Sequence, residues 1–258
     1  MENSLYRTLR TLLPYRVLSS ARLAQLKLQD STDYYERVDR RVFFYRAFNL
    51  LYKNQISGDY AEFGCNGGMT FVLAFQNSQK FSHAKFPRKL WAFDSFQGLP
   101  EQRDQRDSHP SWVKGLLKTS QDEFVRICTG AEIPRSAYQM IPGFYENTIG
   151  NGATTPAANL PDDIALAYID CDLYSSTQSV LEFLSSRMKH GMILAFDDYY
   201  CYSSSAASGE RLALLDYARS VKDRFQFIPF VQYSYAGMSF VVEDRKFTGT
   251  DEYVLLSH

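Results

Sequence analysis

From residue 58 onward, short apolar runs alternate with amphipathic stretches, the pattern of parallel strands buried on both faces and joined by helices. The runs predict seven strands, near Tyr60–Phe63, Leu90–Phe93, Gln139–Ile141, Ile164–Ile169, Met192–Phe196, Gln226–Phe230 and Met238–Val242. Helices between them are indicated by Phe71 to Phe75, by Phe124 to Ile127, by Val180, Leu181, Leu184 and Met188 with Thr177 as N-cap, and by Leu212 to Val221. Only Val231–Gly237 separates the last two strands, too little for a helical crossover, so an antiparallel hairpin is expected. The fold class is α/β and Rossmann-like: a mostly parallel seven-stranded sheet with a C-terminal antiparallel hairpin.

The first 55 residues read differently. Tyr35, Val38, Val42 and Tyr45 recur at helical spacing, Phe44, Phe48 and Leu51 widen the same face, and Asp33 with Glu36 forms a capping pair. Upstream, Arg7, Arg10, Arg16, Arg22 and Lys27 stand among leucines, which suits a solvated helix face. Residues 1–55 are thus expected to be an N-terminal helical extension, and residues 56–258 the main domain. Lys plus Arg number 28 against 29 Asp plus Glu, so no positive field is available to collect nucleic-acid phosphate. No apolar run reaches the roughly 20 residues of a membrane span. Cys65, Cys128, Cys171 and Cys201 lie far apart with no CxxC pair, which fits reduced thiols in a cytoplasm.

Chemistry is concentrated at strand ends. Tyr60-Ala-Glu62-Phe63-Gly64-Cys-Asn-Gly67-Gly68 carries a strand into a glycine turn and a helix start, where the backbone closely approaches a ligand and free N–H groups face it. The spacing is not the GxGxxG of dinucleotide binders. Asp94 ends the next strand, where nucleoside-binding α/β folds hold a ribose diol. Asp170, Asp172, Asp197 and Asp198 follow two further strands and are expected to converge at the same sheet edge. Four such acids repel one another unless they hold a cation, and oxygen-only ligation suits Mg²⁺ or Mn²⁺. Segments Gln97–Trp112 and Gly150–Asp163 read as loops over the rim, with His109 and Trp112 in the first.

A parallel sheet ending in a hairpin is also the plan of class I methyltransferases, and five motifs in order, EFGCNGGMT, WAFDSFQGLPE, IPGFYENT, AYIDCDLYSST and AFDDY, resemble the macrocin O-methyltransferase family of antibiotic-sugar methyltransferases. The resemblance implies an S-adenosylmethionine-dependent O-methyltransferase that uses Mg²⁺ and methylates a hydroxyl of a glycosyl acceptor. It implies that Glu62, Gly64 and Asp94 contact the methyl donor, with Phe63 and Gly67 in the same loop and Ser95 and Phe144 nearby. It matches Asp170, Asp197 and Asp198 to the metal-binding acids and Asp170 to the base, with Asp172 in reserve. By the same resemblance the N-terminal helices would serve a lid and homo-oligomer contacts. The readings left open are a nicotinamide-dependent oxidoreductase and a non-catalytic scaffold of methyltransferase-like fold.

Overall fold

The computed structural model describes residues 15–82, 88–150, 153–202 and 206–248. Its strands are β1 (Asp59–Phe63), β2 (Leu90–Asp94), β3 (Tyr138–Pro142), β4 (Ile164–Ile169), β5 (Ile193–Phe196), β6 (Phe225–Tyr233) and β7 (Gly237–Asp244), in the sheet order β3-β2-β1-β4-β5-β7-β6. β1 to β5 are parallel, and β7 runs antiparallel to both β5 and β6. All seven expected strands and the hairpin are present. β4 is apolar throughout and buried at every position because both sheet faces above it are covered. Strand order reverses between β1 and β4, and a crevice outside their C-terminal ends is the place such folds offer a ligand.

Two cores flank the sheet. Residues alternate between them along β1: Ala61 and Phe63 join the layer that holds Phe93, Leu181 and Phe196, while Tyr60 joins the opposite layer with Phe71 and Tyr168. The helices are α1 (Tyr15–Leu28), α2 (Thr32–Lys53), α3 (Met69–Lys80), α4 (Gln121–Gly130), α5 (Tyr145–Thr148), α6 (Tyr174–Ser185), α7 (Gly209–Val221) and α8 (Arg245–Thr248). No helix among the described residues is long and apolar enough to cross a membrane.

Helix α2 differs from its expected orientation. Tyr35, Val42 and Tyr45 are 54%, 40% and 43% exposed, whereas Phe43, Phe44, Ala47, Phe48 and Leu51 are buried beneath the sheet. The buried stripe is rotated because aromatic residues occupy nearly every side of this helix, and stacking selects one: Phe43 packs on Tyr233 at 4.3 Å and Phe44 on Tyr168 at 5.2 Å. Arg40 lies on that stripe, one turn before Phe44. The capping pair is also corrected. Ser31 is the N-cap without a side-chain bond; Asp33 faces Arg37 at 3.7 Å and Glu36 faces Arg40 at 3.0 Å.

Helix α6 likewise starts earlier than expected, after Leu173, and Thr177 lies inside it, donating to the Leu173 carbonyl at 2.8 Å. Its first turn is capped from a distance: buried Asp107 accepts from the Ser175 N–H at 2.8 Å and the Ser175 hydroxyl at 3.0 Å. This bond ties the rim loop of residues 97–112 to the sheet edge.

Candidate active site

Gly64 makes the crossing at the switch point. Its φ is +94°, and a Cβ there would stand 1.8 Å from the Asp170 carbonyl oxygen. The Gly64 N–H donates to the Phe93 carbonyl, and the Asp170 N–H to the Phe63 carbonyl, both at 2.8 Å, so the three strand ends are fixed together. A cavity of 380 Å³ opens over this crossing. Gly64, Asn66, Asp94, Ser95 and Phe144 line one part of it, and Asp170, Asp172, Asp197 and Asp198 another. His109 and Trp112 come from the first rim loop, their rings 4.6 Å apart. The described part of the Gly150–Asp163 loop does not contribute to the wall, unlike its expected place over the site.

Asp94 uses both oxygens to organise the turn, Oδ2 accepting from the Cys65 N–H at 2.6 Å and Oδ1 from the Phe96 N–H at 2.5 Å. Burial raises its pKa and these two bonds restrain the rise. Each oxygen keeps a lone pair for a ligand hydroxyl.

Glu62, Phe63 and Gly67 do not join that wall. Phe63 stacks on Phe93 at 4.7 Å in the core, and the Gly67 N–H donates to Thr119 Oγ1 at 2.8 Å. Glu62 is fully buried on the α2 face of the sheet, accepting from the Tyr60 hydroxyl and, at 2.8 Å, from the Thr70 hydroxyl. Period-two alternation puts Glu62 and Tyr60 on the same face, which turns the carboxyl inward. Burial pushes its pKa up to about 8 against the ordinary 4.5. The folded chain therefore holds a proton that the unfolded chain has lost, and stability is expected to fall as pH rises from about 4.5 to about 8, by ~1.4 kcal/mol per unit in that window. Urea unfolding at several pH values checks this. Glu62→Gln should make the fall shallower by that amount, the raised acids Asp94, Asp170, Asp172, Asp198 and Glu210 keeping their own share, and an unchanged slope in that variant would remove Glu62 from it.

The acid cluster is built by two turns and one clamp. After β4 the chain reverses sharply at Asp172, whose φ is +59°, with the Leu173 N–H bonded to the Cys171 carbonyl at 2.6 Å. The Asp172 carboxyl lies in the cavity wall beside Asp198 and the Trp112 side chain. Glu210 of α7, fully buried, accepts from the Cys171 N–H at 3.1 Å and the Asp198 N–H at 2.9 Å, and so locks the two turns in register. Burial first, and then the neighbouring carboxylates, raise the pKa values of Asp170, Asp172, Asp198 and Glu210. Among the described residues the Asp170 carboxylate accepts no hydrogen bond.

Asp197 is held differently. Arg40 reaches it from α2 with a two-pronged contact, Nε to Oδ1 at 3.0 Å and Nη2 to Oδ2 at 2.6 Å, and the Tyr168 hydroxyl donates to Oδ1 as well. Within the expected metal set of Asp170, Asp197 and Asp198, Asp197 thus already carries a cationic partner. The hard carboxylate oxygens suit Mg²⁺ by chemistry, and in this arrangement both oxygens of Asp197 serve a guanidinium. Among the described residues no three His, Cys, Asp or Glu side chains form a metal-holding group.

Arg40 and Glu210 were not foreseen as site residues. Arg40 was detectable only through its place on the Phe44-Ala47-Leu51 stripe, and Glu210 resembles any first-turn acid that favours a helix N-terminus. His83 and His258 lie outside the described residues.

The sheet order, the glycine crossing and the acid at the end of β2 define the class I methyltransferase fold. Solved structures agree: a calicheamicin methyltransferase superposes with a TM-score of 0.66 at 18% identity, covering 92% of this chain and 89% of that one. The O-methyltransferase NovP superposes with a TM-score of 0.62 at 21% identity over 79% of each chain. The chain belongs to the Macrocin-O-methyltransferase (TylF) family, whose model matches residues 37–219. It is 27% identical over 171 residues to the demethyldecarbamoylnovobiocin O-methyltransferase of Streptomyces niveus, covering 64% of this chain. It is 25% identical over 149 residues, 56% of this chain, to 8-demethyl-8-(2,3-dimethoxy-alpha-L-rhamnosyl)-tetracenomycin-C 4'-O-methyltransferase of Streptomyces olivaceus. The matches span 62% and 54% of those relatives' lengths.

Proposed function

We propose that the protein transfers a methyl group from S-adenosylmethionine to a hydroxyl of a glycosyl group on a small-molecule acceptor. The observation that carries this reading is the single cavity that unites a nucleoside-type wall, Gly64 and Asp94, with the unbonded carboxylate of Asp170. Family membership and the relative named for 4'-O-methylation of a rhamnosyl-tetracenomycin support the acceptor class. Asp94 would take the ribose hydroxyls, with Ser95 and Phe144 beside the donor.

In the reaction the acceptor oxygen attacks the sulfonium methyl in line, a C–O bond forms as the S–CH₃ bond breaks, and S-adenosylhomocysteine leaves neutral at sulfur. The hydroxyl proton passes to Asp170, whose burial makes it a stronger base than an exposed carboxylate. The enzyme's main work is alignment, to which the Glu210 clamp and the fixed strand ends contribute. The surplus of carboxylate also supports a Mg²⁺ requirement, with Asp170, Asp197 and Asp198 as the expected holders; bound, the ion would act as a Lewis acid on the acceptor hydroxyl. The Arg40–Asp197 pair opposes that set as arranged, and no step above depends on it. Four buried free thiols suit a reducing, cytoplasmic setting.

Transfer of labelled methyl from S-adenosylmethionine to a panel of glycosides and their aglycones tests the reading. Label is expected on the glycosyl hydroxyl; label on aglycones alone would overturn the acceptor class, and none on any hydroxyl the activity. Asp94→Ala should weaken S-adenosylhomocysteine binding by about tenfold or more in calorimetry, since it removes charge-assisted bonds of roughly 1.5–3 kcal/mol each. Unchanged affinity would remove Asp94 from the ribose.

A further inference from the structure

We propose that Arg40 and a divalent cation compete for Asp197, so that helix α2 controls whether the acid cluster accepts a metal. This rests on reading the cluster as the reaction centre.

The argument begins with the lone pairs. Oδ1 of Asp197 accepts from Arg40 Nε and from the Tyr168 hydroxyl, which exhausts it, and Oδ2 accepts from Arg40 Nη2, which leaves one site. Chelation by both oxygens therefore requires Arg40 to withdraw. Coordination by Oδ2 alone would bring a double charge close to a guanidinium in a half-buried setting, where repulsion is screened far less than in water. Arg40 has somewhere to go. Its Nη1 already donates to Glu36 Oε2 at 3.0 Å, one helical turn away, and Glu36 is itself held by the Tyr235 N–H at 3.3 Å from the β6–β7 turn. The arginine thus sits between two acids, one in the cluster and one outside it. With Arg40 on Asp197 the cluster carries an internal counter-charge; with Arg40 on Glu36 alone it presents one more unpaired carboxyl group to the cavity that Asp170, Asp197 and Asp198 line.

The test uses Mn²⁺ alone as probe, titrated calorimetrically into the full chain stripped of metal, with S-adenosylhomocysteine titrated into the same samples. Arg40→Gln should bind Mn²⁺ about tenfold or more tightly than the wild type. Arg40→Lys keeps the charge but loses the fork, so it should fall between the two, whereas long-range charge alone would leave it at the wild-type value. Glu36→Gln, a partly exposed site little able to disturb folding, removes the alternative partner and should weaken Mn²⁺ binding. Equal or weaker Mn²⁺ binding by Arg40→Gln, an Arg40→Lys value equal to the wild type, or no Mn²⁺ binding by any variant would overturn the competition. Because S-adenosylhomocysteine binds elsewhere in the cavity, its loss from the wild type would instead indict the methyltransferase reading.

Discussion

Asp170→Asn is expected to lower kcat for methyl transfer by about 10³-fold while S-adenosylhomocysteine affinity stays within about twofold, since a positioned general base contributes roughly 10²–10⁴-fold. The substitution keeps the shape and the Asp170 N–H bond to the Phe63 carbonyl, so the strand crossing survives. What it removes is a carboxylate that faces the cavity and, among the described residues, accepts no hydrogen bond. Asp172 is the control. It lies beside Asp198 and Trp112 and occupies a left-handed position that Asn also tolerates, so Asp172→Asn should fold and lose less. Methyl transfer to a glycoside accepted by the wild type, followed alongside calorimetry, separates the two. A rate for Asp170→Asn within tenfold of the wild type, with Asp172→Asn more impaired, would exchange their roles.

Gly64→Ala is the largest structural effect expected. The new methyl would meet the Asp170 carbonyl oxygen at 1.8 Å, and hydrogen bonds on both sides prevent β1 and β4 from parting. A left-handed φ of +94° adds backbone strain for any residue with a Cβ. Together these should cost roughly 3–5 kcal/mol, or displace the cluster and abolish cofactor binding. Gly67→Ala calibrates the strain alone, because its φ is +70° and nothing lies within 4 Å of the added atom; about 1 kcal/mol is expected there. Urea unfolding of both variants reads the difference. Equal, small losses would mean that the crossing is looser than drawn.

The sheet was legible in the sequence because strand information is local. An uninterrupted apolar run such as Ile164–Ile169 admits little besides a buried strand, and the short Val231–Gly237 link left only a hairpin. The acids at the ends of β2, β4 and β5 were legible for a related reason: parallel strands deliver their C-terminal residues to one edge. The facing of α2 was not, because aromatics surround it and only contact with Tyr168 and Tyr233 chooses a side. Burial of charge was least legible. Glu62 looked like a ligand residue and sits in the core; Glu210 and Arg40 stand in no motif and organise the cluster. Each is decided by a partner remote in the chain, such as Asp197, 157 positions from Arg40.

The site's central claim is that the Gly64 and Asp94 wall is built for the methyl donor's nucleoside, and a paired thermal-shift titration with S-adenosylhomocysteine and with NADH tests it most directly. The account predicts a saturable rise in Tm with S-adenosylhomocysteine and none with NADH; a rise with NADH and none with S-adenosylhomocysteine would contradict it.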